Sequence, residues 1–329
     1  MAWFQFIISA AVVVFAANKL AEFGDVIAVR TKLGGVFVGT ILLAGATSLP
    51  ELIASISAFR EGFPNLAAGN FFGSNMVNVV LIALVDLINF QVPLLRRVAV
   101  SHALTAALTT VLMLVAVISI LGHVDMAIGW VGVDSILLII LYFGGVWLIQ
   151  REGQAQVAAP AAIEPGPEFP SLRRGLVGFG VTAVVLILVV PFLVNASSGI
   201  ATITGLGTGF IGTALLSIVT SLPELIAALA AMRMNAFDMA VGNLFGSSVF
   251  NMLALGLADF FYTDGRFLEA IDENFVMVGL LGLLLTNMAL VGNLARVERK
   301  FLFIEIDAIA IIIVYVLGMY LLFLRGVGI

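Results

Sequence analysis

Residues 39–78 align without a gap onto residues 212–251, at a constant offset of 173 and with 21 identities in 40 positions. An internal repeat constrains the architecture before any single motif does, because each copy must fold as the same unit. The shared skeleton is Gly-Thr-x-Leu-Leu, then Thr-Ser-Leu-Pro-Glu-Leu-Ile-Ala, then Gly-Asn-x-Phe-Gly-Ser, then Asn. Upstream, Phe6, Ala10, Leu20, Thr31, Leu33, Gly34 and Phe37 match Phe179, Ala183, Leu193, Thr204, Leu206, Gly207 and Phe210. The first apolar segment of each half therefore belongs to the repeat.

The repeat is written in a membrane composition. Of 329 residues, 62% are apolar and 11% charged, with a mean hydropathy of +1.18. Soluble domains run at about 45–50% apolar and about 25% charged. A helix needs about 20 mostly apolar residues to cross the hydrocarbon core. Ten candidate spans follow: 3–22, 33–59, 64–89, 98–121, 125–149, 174–195, 205–232, 237–262, 273–295 and 301–324. Between the fifth and sixth lies 151–173, a polar stretch with Pro160, Pro165, Pro167 and Pro170, which reads as a linker. Five spans per copy is an odd number, so the second copy enters the bilayer from the opposite face. The expectation is an all-α polytopic membrane protein, its ten transmembrane helices arranged as two inverted five-helix repeats: one half over 1–150, the linker over 151–173 and the second half over 174–329. With the N-terminus outside, 12 Lys and Arg fall on the cytoplasmic side and three outside. That bias sets both termini outside and the linker in the cytoplasm.

Several chemistries are excluded. There is no cysteine, so disulfides and thiolate sites are out. His102 and His123 stand far in sequence from the intramembrane acids and from any suitable serine, which leaves neither a zinc site nor a serine–histidine enzyme. No basic cluster points to nucleic acid. No cofactor and no obligate protein partner is expected; the lipid bilayer is the surrounding partner.

Glu51 and Glu224 occupy equivalent places inside spans two and seven. An acid at bilayer depth costs about 2.5–3.5 kcal/mol on insertion scales and marks a functional site by default. Residues 33–59, 64–95, 205–232 and 234–265 contain no Lys or Arg, so the neighbouring spans supply no internal cation. Protons or an external cation must balance the two charges. Pro50 and Pro223 precede the glutamates and free the carbonyls of Ala46 and Val219. Thr47 and Ser48, like Thr220 and Ser221, stand four and three residues before a glutamate, on its face of a helix. The following span repeats a stripe, Asn70, Ser74, Asn78 and Asn243, Ser247, Asn251, beside the small pairs Gly69–Gly73 and Gly242–Gly246. All of these are hard oxygen donors. They suit Ca²⁺ or Na⁺ over zinc or copper, with Mg²⁺ less at home because it dehydrates reluctantly; Mn²⁺ stays open. Two carboxylates balance one Ca²⁺ or two Na⁺, which suits exchange.

At GTILLAGATSLPE with GNFFGSNMVN, and GTALLSIVTSLPE with GNLFGSSVFN, the chain resembles the cation/calcium exchanger superfamily, and within it the sodium/calcium exchanger-like prokaryotic membrane proteins. The resemblance implies that Glu51 and Glu224 are shared Ca²⁺ and Na⁺ ligands. It gives backbone oxygens to Thr47 and Thr220, and hydroxyls to Ser48 and Ser221. Ser74, Ser247, Asn78 and Asn251 would complete the Na⁺ sites, and Ala44 and Ser217 would offer carbonyls to outlying ones. It also implies alternating access, with spans one and six sliding across the other eight, in a prokaryotic inner membrane and without covalent chemistry. Many relatives carry Asp at one of the positions held here by Asn78 and Asn251; this chain has Asn at both, which leaves two charges in the centre and weighs against the potassium-dependent branch. The leading reading is a Na⁺/Ca²⁺ antiporter. A Ca²⁺ (or Mn²⁺)/H⁺ antiporter of the same fold stands next, and a non-transporting membrane ion sensor is the remote alternative.

Overall fold

A computed structural model describes residues 1–31, 44–88, 101–123, 126–156, 170–233, 235–295, 300–301 and 304–327. Ten helices organise it: α1 (Ala2–Thr31), α2 (Leu49–Arg60), α3 (Pro64–Ile88), α4 (Ser101–Gly122), α5 (Val133–Gln156), α6 (Leu172–Thr204), α7 (Leu222–Arg233), α8 (Phe237–Ala258), α9 (Phe275–Ala295) and α10 (Ile306–Arg325). Among the described residues, nine helical stretches are long and apolar enough to cross a membrane. The span expected over 33–59 is the tenth. Its residues 33–43 lie outside the described residues, while 44–47 and α2 are helical. The middle of the expected linker, 157–169, also lies outside them.

Two helices are longer than their apolar windows. α1 has 30 residues and α6 has 33, so at about 1.5 Å per residue they run about 45–50 Å, against a hydrocarbon core of about 30 Å. The expected ends at 22 and 195 fall short because hydropathy stops at polar residues (Glu22, Asp25, Asn195, Ser197) that a helix tolerates. α5 likewise continues to Gln156, inside the stretch read as linker. α6 opens on Ser171, whose hydroxyl accepts from the Arg174 N–H, and closes on Gly205 at φ 71°, the left-handed cap that glycine adopts without strain.

α1 and α6 are equivalent in the repeat and pack along one another in opposite directions. Val26 and Ile27 face Gly175, Phe23 packs on Gly178, Gln5 Nε2 donates to the Phe192 carbonyl (2.9 Å) and Ala2 faces Gly199. Antiparallel pairing of equivalent helices is what an inverted repeat requires. This pair lies against α2 and α7. The centre is built on α3 and α8, the most enclosed spans, with α4, α9 and α10 packed around them. The lipid-facing surface carries the exposed apolar side chains, Trp3, Trp130 and Trp147 among them.

Close backbone approach sets the centre. A Cβ on Gly69 would stand 2.4 Å from the Gly209 carbonyl oxygen, and one on Gly212 would stand 2.4 Å from that of Leu66. α3 thus crosses the segment before α7 backbone against backbone, as small-residue pairs allow. That segment runs Thr208–Ile211, a π-helical stretch Gly212–Leu216, then Ser217–Thr220. π-helical turns concentrate at functional sites.

Candidate functional site

Spans two and seven break at the same place. Ser48 (φ −92°, ψ 8°) and Ser221 (φ −90°, ψ 3°) both leave the helical region, and α2 and α7 restart at the following leucines. The cause is local. The prolines at 50 and 223 cannot donate, and their rings crowd the carbonyls of Ala46 and Val219 four residues back, which opens the turn at Ser48 and Ser221. Glu51 and Glu224 therefore sit in the first turn of a half-helix, where the dipole's positive end favours a carboxylate. Both are fully buried.

Each glutamate is held by the other repeat. Ser48 Oγ donates to Glu224 Oε1 (3.1 Å), and Ser221 Oγ donates to Glu51 Oε1 (3.4 Å). The two contacts are equivalent under the repeat. Thr47 and Thr220 lie beside the opposite carboxylates in the same way. Ser247 Oγ also donates to Glu224 Oε1 (3.2 Å) and stands 3.2 Å from Thr47 Oγ1. The sequence placed Thr47, Ser48 and Glu51 on one helical face. The break at Ser48 turns the hydroxyl toward the opposite glutamate instead.

Below this layer, Asn70 Nδ2 donates to the Glu51 carbonyl (3.0 Å) and Asn243 Nδ2 to the Glu224 carbonyl (3.5 Å). Thr220 Oγ1 donates to Asn70 Oδ1 (3.0 Å). Asn78 Nδ2 donates to Ser248 Oγ (3.3 Å), and Asn251 Nδ2 donates to Asn75 Oδ1 (3.2 Å). Asn70 and Asn243 thus position the broken helices. Asn75 and Ser248 tie α3 to α8; an identity search passes over them because the two repeats differ there.

The expected ligands divide into two groups. Glu51, Glu224, Thr47, Thr220, Ser48, Ser221 and Ser247 meet where the repeats face each other, while Asn78 and Asn251 join α3 to α8 and Ser74 is buried on α3. Of the buried oxygens, Glu51 Oε2, Glu224 Oε2, Ser74 Oγ, Asn78 Oδ1 and Asn251 Oδ1 have no hydrogen-bond partner. Buried polar atoms are nearly always satisfied, so these unpartnered oxygens on α2, α7, α3 and α8 keep acceptor capacity for a ligand. Ala44 and Ser217 differ. The Ala44 carbonyl already accepts from Ser48 N (2.9 Å) and Thr47 Oγ1 (3.2 Å), and that of Ser217 from Ser221 N (3.0 Å) and Thr220 Oγ1 (3.3 Å). Both lone pairs of each are engaged here. No group of three or more His, Cys, Asp or Glu occurs among the described residues, so the charge of this site rests on two carboxylates.

Other buried acids stand apart. Asp259 is fully buried and accepts from the backbone N–H groups of Gly132 and Phe267 (2.7 Å each), which staples two loops.

A model of the family described as sodium/calcium exchanger protein matches residues 1–150 and 174–324. The chain is 38% identical over 79 residues to the sodium/calcium exchanger MaX1 of Methanosarcina acetivorans, which is 24% of this chain and 23% of that protein. Among solved structures, the H⁺/Ca²⁺ exchanger CAX superposes with a TM-score of 0.68 at 16% identity, over 98% of this chain and 88% of that one. The sodium-calcium exchanger NCX_Mj superposes with a TM-score of 0.61 at 20% identity, over 97% of each chain. At these identities the structural likeness concerns the fold.

Proposed function

We propose that this chain, which belongs to the sodium/calcium exchanger protein family, exchanges Na⁺ for Ca²⁺ across the membrane by alternating access. Family membership makes it a multi-pass membrane cation antiporter, of a family of ion exchangers. The finer reading is a single midplane site, built on Glu51 and Glu224, for which Ca²⁺ and Na⁺ compete. Ser48, Ser221, Ser74, Ser247, Asn78 and Asn251 give side-chain oxygens to it, and Thr47 and Thr220 give main-chain oxygens. Ala44 and Ser217 serve outlying Na⁺ only if their carbonyls release a hydrogen bond. The two halves, 1–150 and 174–329, work as inverted units joined by 151–173, with the linker in the cytoplasm and both termini outside a prokaryotic inner membrane.

The observation that carries this reading is two buried carboxylates, each met by a serine of the other repeat and each with an unpartnered oxygen, on spans whose neighbours contain no Lys or Arg. Oxygen cages of this kind fit Ca²⁺ and Na⁺. One Ca²⁺ or two Na⁺ neutralise the pair, so one occupant must leave before the other binds. Neutral hydroxyls and amides around the acids favour Na⁺ as the coupling ion, since a proton needs only a carboxylate.

Purified protein in liposomes loaded with Na⁺ and diluted into Na⁺-free buffer, with equal pH on both sides, tests it. Ca²⁺ uptake that needs internal Na⁺ and survives a proton ionophore supports Na⁺ coupling. Uptake driven instead by a pH gradient without Na⁺ makes the protein a Ca²⁺/H⁺ antiporter with the same two glutamates.

A further inference from the structure

A cavity of about 300 Å³ lies away from the central site, lined by Gln5, Glu61, Pro191, Phe192 and Asn195. It opens at the seam between the α1–α6 pair and the end of α2. Glu61 caps the C-terminus of α2, the helix that carries Glu51 in its first turn. Ten residues along a helix at about 1.5 Å each place Glu61 about 15 Å from Glu51, half the hydrocarbon thickness of about 30 Å. Glu61 is therefore at a membrane face when Glu51 is at the midplane, and Gln5 makes it the face that bears the N-terminus.

Three features make this mouth attractive to a cation. Among the described residues Glu61 forms no ion pair, although the exposed Arg60 precedes it, and Asn195 lines the same cavity. Partial burial pushes the Glu61 carboxyl up. Gln5 donates Nε2 to the Phe192 carbonyl (2.9 Å), which leaves its own side-chain carbonyl oxygen as an acceptor. The cavity has room for a hydrated cation: six to eight waters at about 30 Å³ each take up about 180–240 Å³, against about 300 Å³ here.

The opposite face differs in sequence. At the offset of 173, Glu61 corresponds to Met234, Gln5 to Gly178 and Asn195 to Glu22. Glu22 is paired with Lys19 at 2.6 Å. The repeat thus does not duplicate the Glu61, Gln5 and Asn195 set at the opposite face.

We propose that Glu61, with the side-chain amides of Gln5 and Asn195, forms a cation-admission site at the face that bears the N-terminus, holding a divalent cation with its water shell on the way to Glu51 and Glu224. The proposal rests on the antiporter reading. Its role is to raise the local cation concentration and not to coordinate the bare ion.

The test is the KM for Ca²⁺ measured from each face separately, in oriented membrane vesicles, for the wild type, Glu61→Gln and Asn195→Asp. Glu61→Gln keeps the shape of the side chain and removes the charge. Its KM should rise about threefold to tenfold from the N-terminal face at low salt, with no change from the other face. Asn195→Asp should lower the KM from that face, and high ionic strength should erase both effects. Wild-type uptake with an unchanged KM in Glu61→Gln, or equal shifts from both faces, overturns the proposal alone. A structural role would make both variants impair transport alike, with no salt dependence, and that also overturns it. A wild-type protein that moves no Ca²⁺ from either face overturns the antiporter reading and this proposal together.

Discussion

Glu51→Gln should abolish Ca²⁺ exchange while leaving the protein folded. Glutamine has the shape of glutamate and can accept from Ser221 Oγ as the carboxylate does. Only the charge is lost. Removing one partner of a buried charge pair costs about 3–5 kcal/mol for unit charges. A divalent ion makes that a lower bound. At about 1.4 kcal/mol per tenfold, Ca²⁺ binding should weaken by at least a hundredfold to several thousandfold. Glu51 has no ion pair among the described residues, so the unliganded fold loses no charge pair and its thermal unfolding midpoint should hold or rise. Equilibrium binding of ⁴⁵Ca²⁺ to purified protein, with a thermal melt on the same sample, reads both quantities. Glu224→Gln should behave the same way, because the two acids are equivalent under the repeat. Binding within tenfold of wild type in either folded variant would refute the reasoning.

Ser48→Ala and Ser221→Ala each remove a hydroxyl that reaches across to the other repeat's glutamate. Each should weaken Ca²⁺ binding by about 0.5–1.5 kcal/mol, read by the same assay; no change in either would remove the serines from the ligand set. Asn78→Ala and Asn251→Ala should weaken the Na⁺ dependence of uptake more than Ca²⁺ binding, and equal losses would mean that they only tie α3 to α8. Gly69→Ala places a Cβ 2.4 Å from the Gly209 carbonyl oxygen and should destabilise the folded protein by about 1–3 kcal/mol; a wild-type melting temperature would show that the crossing is looser.

Much of this was legible in the sequence, for stated reasons. The constant offset made the repeat visible, its odd span count required inversion, and α1 and α6 do run antiparallel. The two acids stood out because no Lys or Arg shares their spans. What stayed hidden was which repeat each hydroxyl serves. Spacing gives the geometry within one helix and says nothing about what crosses it, so Ser48 read as a companion of Glu51 when it reaches Glu224. Asn75 and Ser248 were invisible because their cross-contacts are symmetric while their residue types are not. The lengths of α1 and α6 were underestimated because apolarity reports membrane depth, and helix formation does not stop where the bilayer does. The staple at Asp259 depends on loops far apart in sequence, from Gly132 to Phe267.

The central claim is one site shared by Ca²⁺ and Na⁺ on Glu51 and Glu224. The most direct test is Ca²⁺ affinity of the purified protein at a series of Na⁺ concentrations, at constant ionic strength and pH. The account expects the apparent Kd for Ca²⁺ to rise steeply with Na⁺, with a dependence steeper than first power because two Na⁺ replace one Ca²⁺. A Kd indifferent to Na⁺ would contradict it.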